Sequence, residues 1–291
     1  MLSSFCDFSV DDEPSSSSIS SAFWQLIFCK DIRDPLLQIG RMISLHGLKG
    51  KVFLYSMNQF FDKIYVVTLE SSKNRIESME SQFKRLGIKN YIMFPAAAED
   101  ERRARGSREE LIKEQMWAFP GNKFHCTMEC SCHGAGHVLS DGQIASSVSH
   151  ARVYEDIAAK GYSRCLVLED DCVFLDAVQK FDEIIKDLPD DWDLLYLGQP
   201  ELITDWNSTE IGSDYLKRLV HGVALSHIYG ITGDAAKIMA KDIFPIRAAS
   251  DGYLAHFVVT ERLLERAFIS KISLALNGSL TGHFQTFLGP Y

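Results

Sequence analysis

Leu166-Val167-Leu168-Glu169-Asp170-Asp171 decides how the rest of this 291-residue chain is read. The apolar run that starts at Cys165 reads as a buried strand. It stops at three consecutive carboxylates, after which Val173 and Phe174 return to apolar character. Adjacent acids repel one another and lose hydration when buried, so a cation among them is the simplest compensation. At the carboxyl end of a strand, that cation would be a divalent metal holding a phosphate-bearing substrate. The same residues also allow a plainer reading, a solvated acidic turn after an ordinary strand.

Upstream, residues 142–160 read as a helix with Ile144, Val148, Ala151, Tyr154 and Ala158 on one face, closed by Gly161. That helix carries Ser149-His150. Further upstream, Ile64-Tyr65-Val66-Val67-Thr68-Leu69 is a β-prone run fit for a buried parallel strand. Ser71 or Ser72 can cap the next helix, whose Ile76, Met79, Phe83 and Leu86 share a face, and Gly87 can end it. Tyr91-Ile92-Met93-Phe94 is a second strand, closed by Pro95.

Downstream, Ala177, Phe181, Ile184 and Leu188 mark a helix. Strands are expected at 193–198, 223–231 and 268–276, and helices at 234–242 and 251–266. This alternation predicts an α/β domain over residues 61–291, with a mostly parallel sheet flanked by helices. Residues 1–60 lack the alternation and read as an N-terminal extension, partly disordered where residues 11–21 are acidic and Ser-rich.

A hydrophobic fraction of 46% and a charged fraction of 24% belong to a globular chain. The net charge of −9 argues against a general nucleic-acid binder. No apolar run approaches the roughly 20 residues of a transmembrane segment, and the N-terminus lacks the basic start of a signal peptide, so a cytoplasmic location is expected. Seven cysteines show no disulfide framework. His125, Cys126, Cys130, Cys132 and His133, with His137 nearby, form a cluster that reads either as a zinc-binding loop or as reduced cysteines. Phosphate-loop, dinucleotide-binding and nucleophile-elbow motifs are absent.

Ligands gather at strand carboxyl ends in an open α/β sheet. Three such ends are candidates: Thr68-Leu69-Glu70 with Arg75 following, Glu169-Asp170-Asp171, and Gly198-Gln199-Pro200-Glu201. Arg75 presents a fork suited to a diphosphate or a base, or is a solvated helix residue. His150 reads as a packed structural residue or a site residue. Asp251 reads as a helix N-cap or a general base, and His283 as a tail residue or a metal ligand.

Three blocks in order carry a family resemblance. They are Lys63 to Arg75 with Ile76-Glu77-Ser78-Met79; Asp141-Gly142-Gln143-Ile144 through Ser149-His150 to the Leu168-Glu169-Asp170-Asp171 strand end; and His221 to Met239 with Asp251. Together they resemble glycosyltransferase family 25, which includes bacterial lipooligosaccharide and collagen galactosyltransferases. The resemblance implies a GT-A fold, Rossmann-like, and a role in glycan or LPS biosynthesis.

It also implies a metal-dependent, inverting hexosyltransferase. The donor would be a UDP-sugar, with galactose or glucose as the hexose, the metal Mn²⁺ or Mg²⁺, and the acceptor a glycan or glycoprotein. Under it, Glu169 and Asp171 hold the metal, with His283 a further ligand. Thr68, Leu69, Arg75, His150 and Asp170 hold the donor. Asp251 is the base, with Glu201 in reserve.

The chain departs from the family pattern in having Thr68-Leu69-Glu70 rather than Asn-Leu-Asp, and Gly252 rather than a second acid after Asp251. Two other readings stand beside it: a different metal-assisted nucleotidyl or phosphoryl transfer, and a non-catalytic module of the same fold.

Overall fold

The computed structural model describes residues 55–97, 141–198, 205, 208–220, 222–223, 226–244, 246, 249–259 and 266–284. The readings made on residues 1–54, on Glu201 and on the cysteine–histidine cluster fall outside them. Elements α1 (Tyr55–Phe60), β1 (Lys63–Thr68), α2 (Lys73–Leu86) and β2 (Tyr91–Pro95) come first. Then follow α3 (Asp141–Lys160), β3 (Arg164–Glu169), β4 (Cys172–Phe174), a 3-10 turn (Asp176–Lys180), α4 (Phe181–Lys186) and β5 (Leu194–Tyr196). The hairpin β6 (Ser208–Glu210) and β7 (Leu216–Leu219) precedes β8 (Ile228–Thr232), α5 (Gly233–Asp242), α6 (Ser250–Val259), β9 (Ala267–Ser270) and β10 (Ala275–Asn277).

The main sheet has eight strands in the order β2-β1-β3-β8-β5-β9-β7-β6. All but β8 and β7 point the same way. The expected mostly parallel α/β sheet is therefore present, but β8 lies antiparallel between β3 and β5. A small second sheet pairs β10 with β4, immediately after the acidic turn.

β1 and β3 are apolar throughout because both of their faces are covered. Ile64, Val66, Leu166 and Leu168 enter one core with Met79 and Phe83 of α2. Tyr65, Val67, Cys165 and Val167 enter the other, with Ile144, Val148 and Tyr154 of α3 and Met239 of α5. The sheet is thus sandwiched, and its middle strands deliver their ends to one edge of the sandwich.

Several element boundaries differ from the sequence reading. Residues 268–276 form two strands, because the Ser270 hydroxyl donates to the Ile272 carbonyl and accepts the Ile272 N–H, turning the chain between β9 and β10. The expected strand at 223–231 begins only at Ile228. The expected helix around 177–188 splits into the 3-10 turn and α4. Ser72 does precede α2, but its side chain caps nothing. Gly87 ends α2 as expected, in the left-handed conformation (φ 70°), with Ile88 N donating to Phe83 O at 3.0 Å.

Candidate functional site

The buried stripe of α2 is Arg75, Met79, Phe83 and Leu86. An arginine thus takes the place where the sequence pattern put Ile76. Arg75 is only 6% exposed and reaches the turn after β3, where Nη1 lies 2.8 Å from Asp170 Oδ1. The other Asp170 oxygen accepts the Thr68 hydroxyl at 2.7 Å. Parallel pairing of β1 with β3 creates this contact, since it sets Val67 beside Glu169 and brings the two strand ends together. Burial pushes the Asp170 carboxyl above its ordinary range, while the Arg75 and Thr68 hydrogen bonds pull it back. The positive charge demanded by the acidic triplet is therefore supplied in part by the protein itself.

Glu169 points the other way. It accepts the Ser226 hydroxyl at 2.8 Å and faces His150 Nε2 at 3.5 Å. Burial pushes its carboxyl up, but the contact and charge of His150, the Ser226 hydroxyl and the charge of His227 outweigh that and hold it below the usual value. Ser226 also lies 3.3 Å from the Ser250 hydroxyl, which is 2.9 Å from that of Ser146. This serine line ties the start of α6, where Asp251 follows Ser250, to α3 and Glu169. Asp251 is half-buried and accepts the Gly252 N–H at 2.7 Å. It lies one residue inside α6, which starts at Ser250, rather than at the cap position.

Asp171 is different again. Its Oδ1 is buried and has no hydrogen-bond partner. Burial, then the charge of Glu169, pushes its carboxyl up to about 6, against the pull of Ser279 and Arg75. The turn after β10 covers it. Gly278 N donates to the Asp171 carbonyl at 2.8 Å, Arg75 Nη2 donates to Ser279 Oγ at 3.1 Å, and the Phe284 ring lies under the Arg75 guanidinium, 5.5 Å away. His283 sits on this turn, exposed, with Nδ1 2.9 Å from Thr281 Oγ1.

The structure thus brings Thr68, Arg75, Glu169, Asp170 and Asp171 together, with Asp251 and His283 on adjoining segments. Leu69, half-buried, turns the chain by accepting Ser72 N at 2.9 Å. His150, read as a packed structural residue or a donor contact, is buried, at 1% exposed. Ser226, Ser279 and Tyr229 were not foreseen. Antiparallel β8 brings Ser226 and Tyr229 in, and nothing in the local sequence signals that strand's direction. Among the described residues, no three His, Cys, Asp or Glu side chains form a ready metal cage. A metal held mainly by substrate phosphates and water requires only one or two protein carboxylates. The orphaned Asp171 oxygen fits that more modest part.

Comparison with known proteins follows the same residues. Positions 61–254 match the family described as Glycosyltransferase family 25 (LPS biosynthesis protein), over more than half of the chain. Similar proteins include "Inactive glycosyltransferase 25 family member 3" of Mus musculus, 34% identical over 74 residues, 23% of this chain and 12% of that protein. The Rattus norvegicus "Probable inactive glycosyltransferase 25 family member 3" is 33% identical over 72 residues, 23% of this chain and 13% of that protein. The Homo sapiens "Inactive glycosyltransferase 25 family member 3" is 31% identical over 72 residues, 23% of this chain and 12% of that protein. The match therefore spans only about an eighth of these relatives' length.

Proposed function

The chain belongs to glycosyltransferase family 25, and from that membership we propose that it transfers a hexose, galactose or glucose, from a UDP-sugar to a hydroxyl of a glycan or glycoprotein acceptor. The observation that carries this reading is the buried, unpartnered Asp171 oxygen at the end of β3, in a turn whose other two acids already have protein partners. A divalent metal arriving with the donor diphosphate would be held by Asp171, with Glu169 next to it and His283 available on the covering turn. When bound, Mn²⁺ or Mg²⁺ neutralises the charge that develops on the departing diphosphate.

The remaining roles belong to the chain's own side chains. Arg75 and Thr68 orient the turn by clamping both oxygens of Asp170. Leu69, at the neighbouring strand end, borders the space for the nucleoside. Asp251, the residue after Ser250 of the serine line, takes the proton from the acceptor hydroxyl as that oxygen attacks the anomeric carbon. A base on the acceptor side is what an inverting displacement requires. Glu201 is the alternative base.

A second reading, a donor-binding member without turnover, is favoured by the names of the matched relatives. One experiment separates the two: a thermal-shift series of nucleotide sugars with and without Mn²⁺, followed by product analysis with glycan acceptors. A metal-dependent shift with a UDP-hexose, with UDP released and sugar transferred, is expected. A shift without transfer would select the non-catalytic reading, and release of hexose 1-phosphate with UMP joined to the acceptor would indicate nucleotidyl transfer. No shift with any nucleotide sugar would overturn the donor site itself.

A further inference from the structure

A cavity of about 460 Å³ lies beside β7, lined by Arg218, Phe268, Ile211, Pro189 and the two acids Asp187 and Asp191. Arg218 pairs with Phe268 near the start of β9, and β9 runs the same way as β5 and β3. The acidic triplet sits where β3 ends, whereas this cavity sits where the parallel strands begin. Arg218 breaks the pattern of its strand. It shares a sheet face with Leu216, which enters one core with Phe268. Its guanidinium makes no ion pair or hydrogen bond among the described residues, and Nε is buried without a partner. An enclosed N–H without an acceptor costs free energy. Methionine would fill a similar volume without that cost, so the guanidinium is better explained by what it offers the cavity than by packing.

The two acids have acceptor capacity to spare. Asp187 uses Oδ2 for the Ser213 hydroxyl at 2.5 Å, and that hydroxyl in turn accepts the N–H groups of Tyr215 and Leu216, which fixes the turn. Asp191 is exposed, and its carboxylate has no partner among the described residues. A guanidinium only donates hydrogen bonds and a carboxylate only accepts them. A free anion would satisfy Arg218 but meet the charge of both acids, and a cation would satisfy the acids but meet Arg218. A neutral polyhydroxy ring suits both. Each hydroxyl donates and accepts, two adjacent hydroxyls can meet the fork of the guanidinium, and the C–H face can lie on Phe268, Ile211 and Pro189. A peptide added as a strand has no place here, because β7 is already paired on both sides, with β6 and β9. Gly212, left-handed at φ 77°, has nothing within 4 Å of where a Cβ would stand, so no side chain narrows the cavity there.

We propose that this cavity is a carbohydrate-binding site separate from the acidic turn, taking one hexose unit of a glycan through Arg218, Asp187 and Asp191. It needs neither nucleotide nor metal, and it does not rest on the function proposed above. The test is a ¹H–¹⁵N correlation spectrum of the full chain titrated with methyl β-galactopyranoside, methyl β-glucopyranoside and methyl α-mannopyranoside, and separately with sodium acetate and inorganic phosphate, all without nucleotide or metal.

At least one hexoside is expected to shift the Gly212 amide and Arg218 Nε–H signals saturably, and the two anions are not. Arg218→Met should weaken that hexoside by about tenfold or more, with a melting temperature unchanged or raised, because an unpaired, half-buried cation has been removed. If Arg218→Met does not fold, Asp191→Asn, at an exposed position, should weaken the hexoside and leave the melting temperature unchanged. No saturable shift with any of the three hexosides overturns the proposal. So does a stronger response to acetate or phosphate, a hexoside response confined to Glu169–Asp171, or full affinity in a folded variant. The spectra resolve the two ends of the sheet and contain no UDP-sugar, so failure here is distinct from failure of the donor reading.

Discussion

Asp170 and Asp171 are neighbours with opposite circumstances. Asp170 has both oxygens occupied, so Arg75 and Asp170 form a buried pair that is costly to break from one side. Arg75→Leu is expected to destabilise the protein by about 3–5 kcal/mol in urea unfolding, because a buried carboxylate loses its cation. Arg75→Leu combined with Asp170→Leu should cost markedly less; equal costs would show that the pair is not coupled.

For Asp171 the sign reverses. Its folded carboxyl titrates near 6, against 3.8 ordinarily, so the native state holds a proton more tightly than the unfolded chain does. Stability contributed by the protonated form is fully present below pH 3.8, is lost as pH rises, and is gone above pH 6. Asp171→Asn should therefore stabilise the ligand-free protein above pH 6 by about 1–3 kcal/mol while abolishing metal-dependent donor binding. Thermal melts at pH 4 and pH 7.5 check this: the variant should gain on the wild type only at the higher pH.

The turn after β10 acts on the site as an element. It approaches closely because Gly278 has no side chain: a Cβ there would stand 2.6 Å from the Asp171 carbonyl oxygen and 2.7 Å from the Phe284 ring. Gly278→Ala is expected to cost about 1–3 kcal/mol and to lift residues 278–284 from the acidic turn. Faster amide exchange across those residues, with β1 and β3 unaffected, would be the signature; unchanged exchange would mean the turn tolerates the methyl group.

Legibility in the sequence follows the range of the interactions. α2, α3, β1, β3 and the cap at Gly87 were readable because periodicity and turn chemistry are local. Arg75 was singled out for a diphosphate or base contact, but its burial was not readable, since that depends on Asp170 95 positions away. The split at Ser270 was missed because a serine inside an apolar run carries no period of its own. The partners of His150, Glu169 and Tyr229, were not readable because they come from two strands that only the sheet aligns.

At the scale of the whole molecule, β3 joins both cores: Val167 enters one and Leu168 the other. Val167→Ala and Leu168→Ala should each lower stability, by about 2–4 kcal/mol for the leucine and less for the valine, within one cooperative transition. Separate transitions by far- and near-ultraviolet circular dichroism would show instead that the two layers unfold independently. Among the described residues no helix is long and apolar enough to cross a membrane.

The sequence by itself determined the α/β class, the order of the principal elements and the acidic strand end, because alternation, caps and an abrupt apolar-to-acidic boundary are written within a few residues of one another. Only the tertiary structure decided that β8 runs antiparallel beside β3, and how the three acids divide their partners. Asp170 goes to Arg75, Glu169 goes to Ser226 and His150, and Asp171 keeps an oxygen unpartnered. The physical reason is that a buried charge is compensated by whichever groups the sheet brings near it, and strand direction and pairing are not encoded locally.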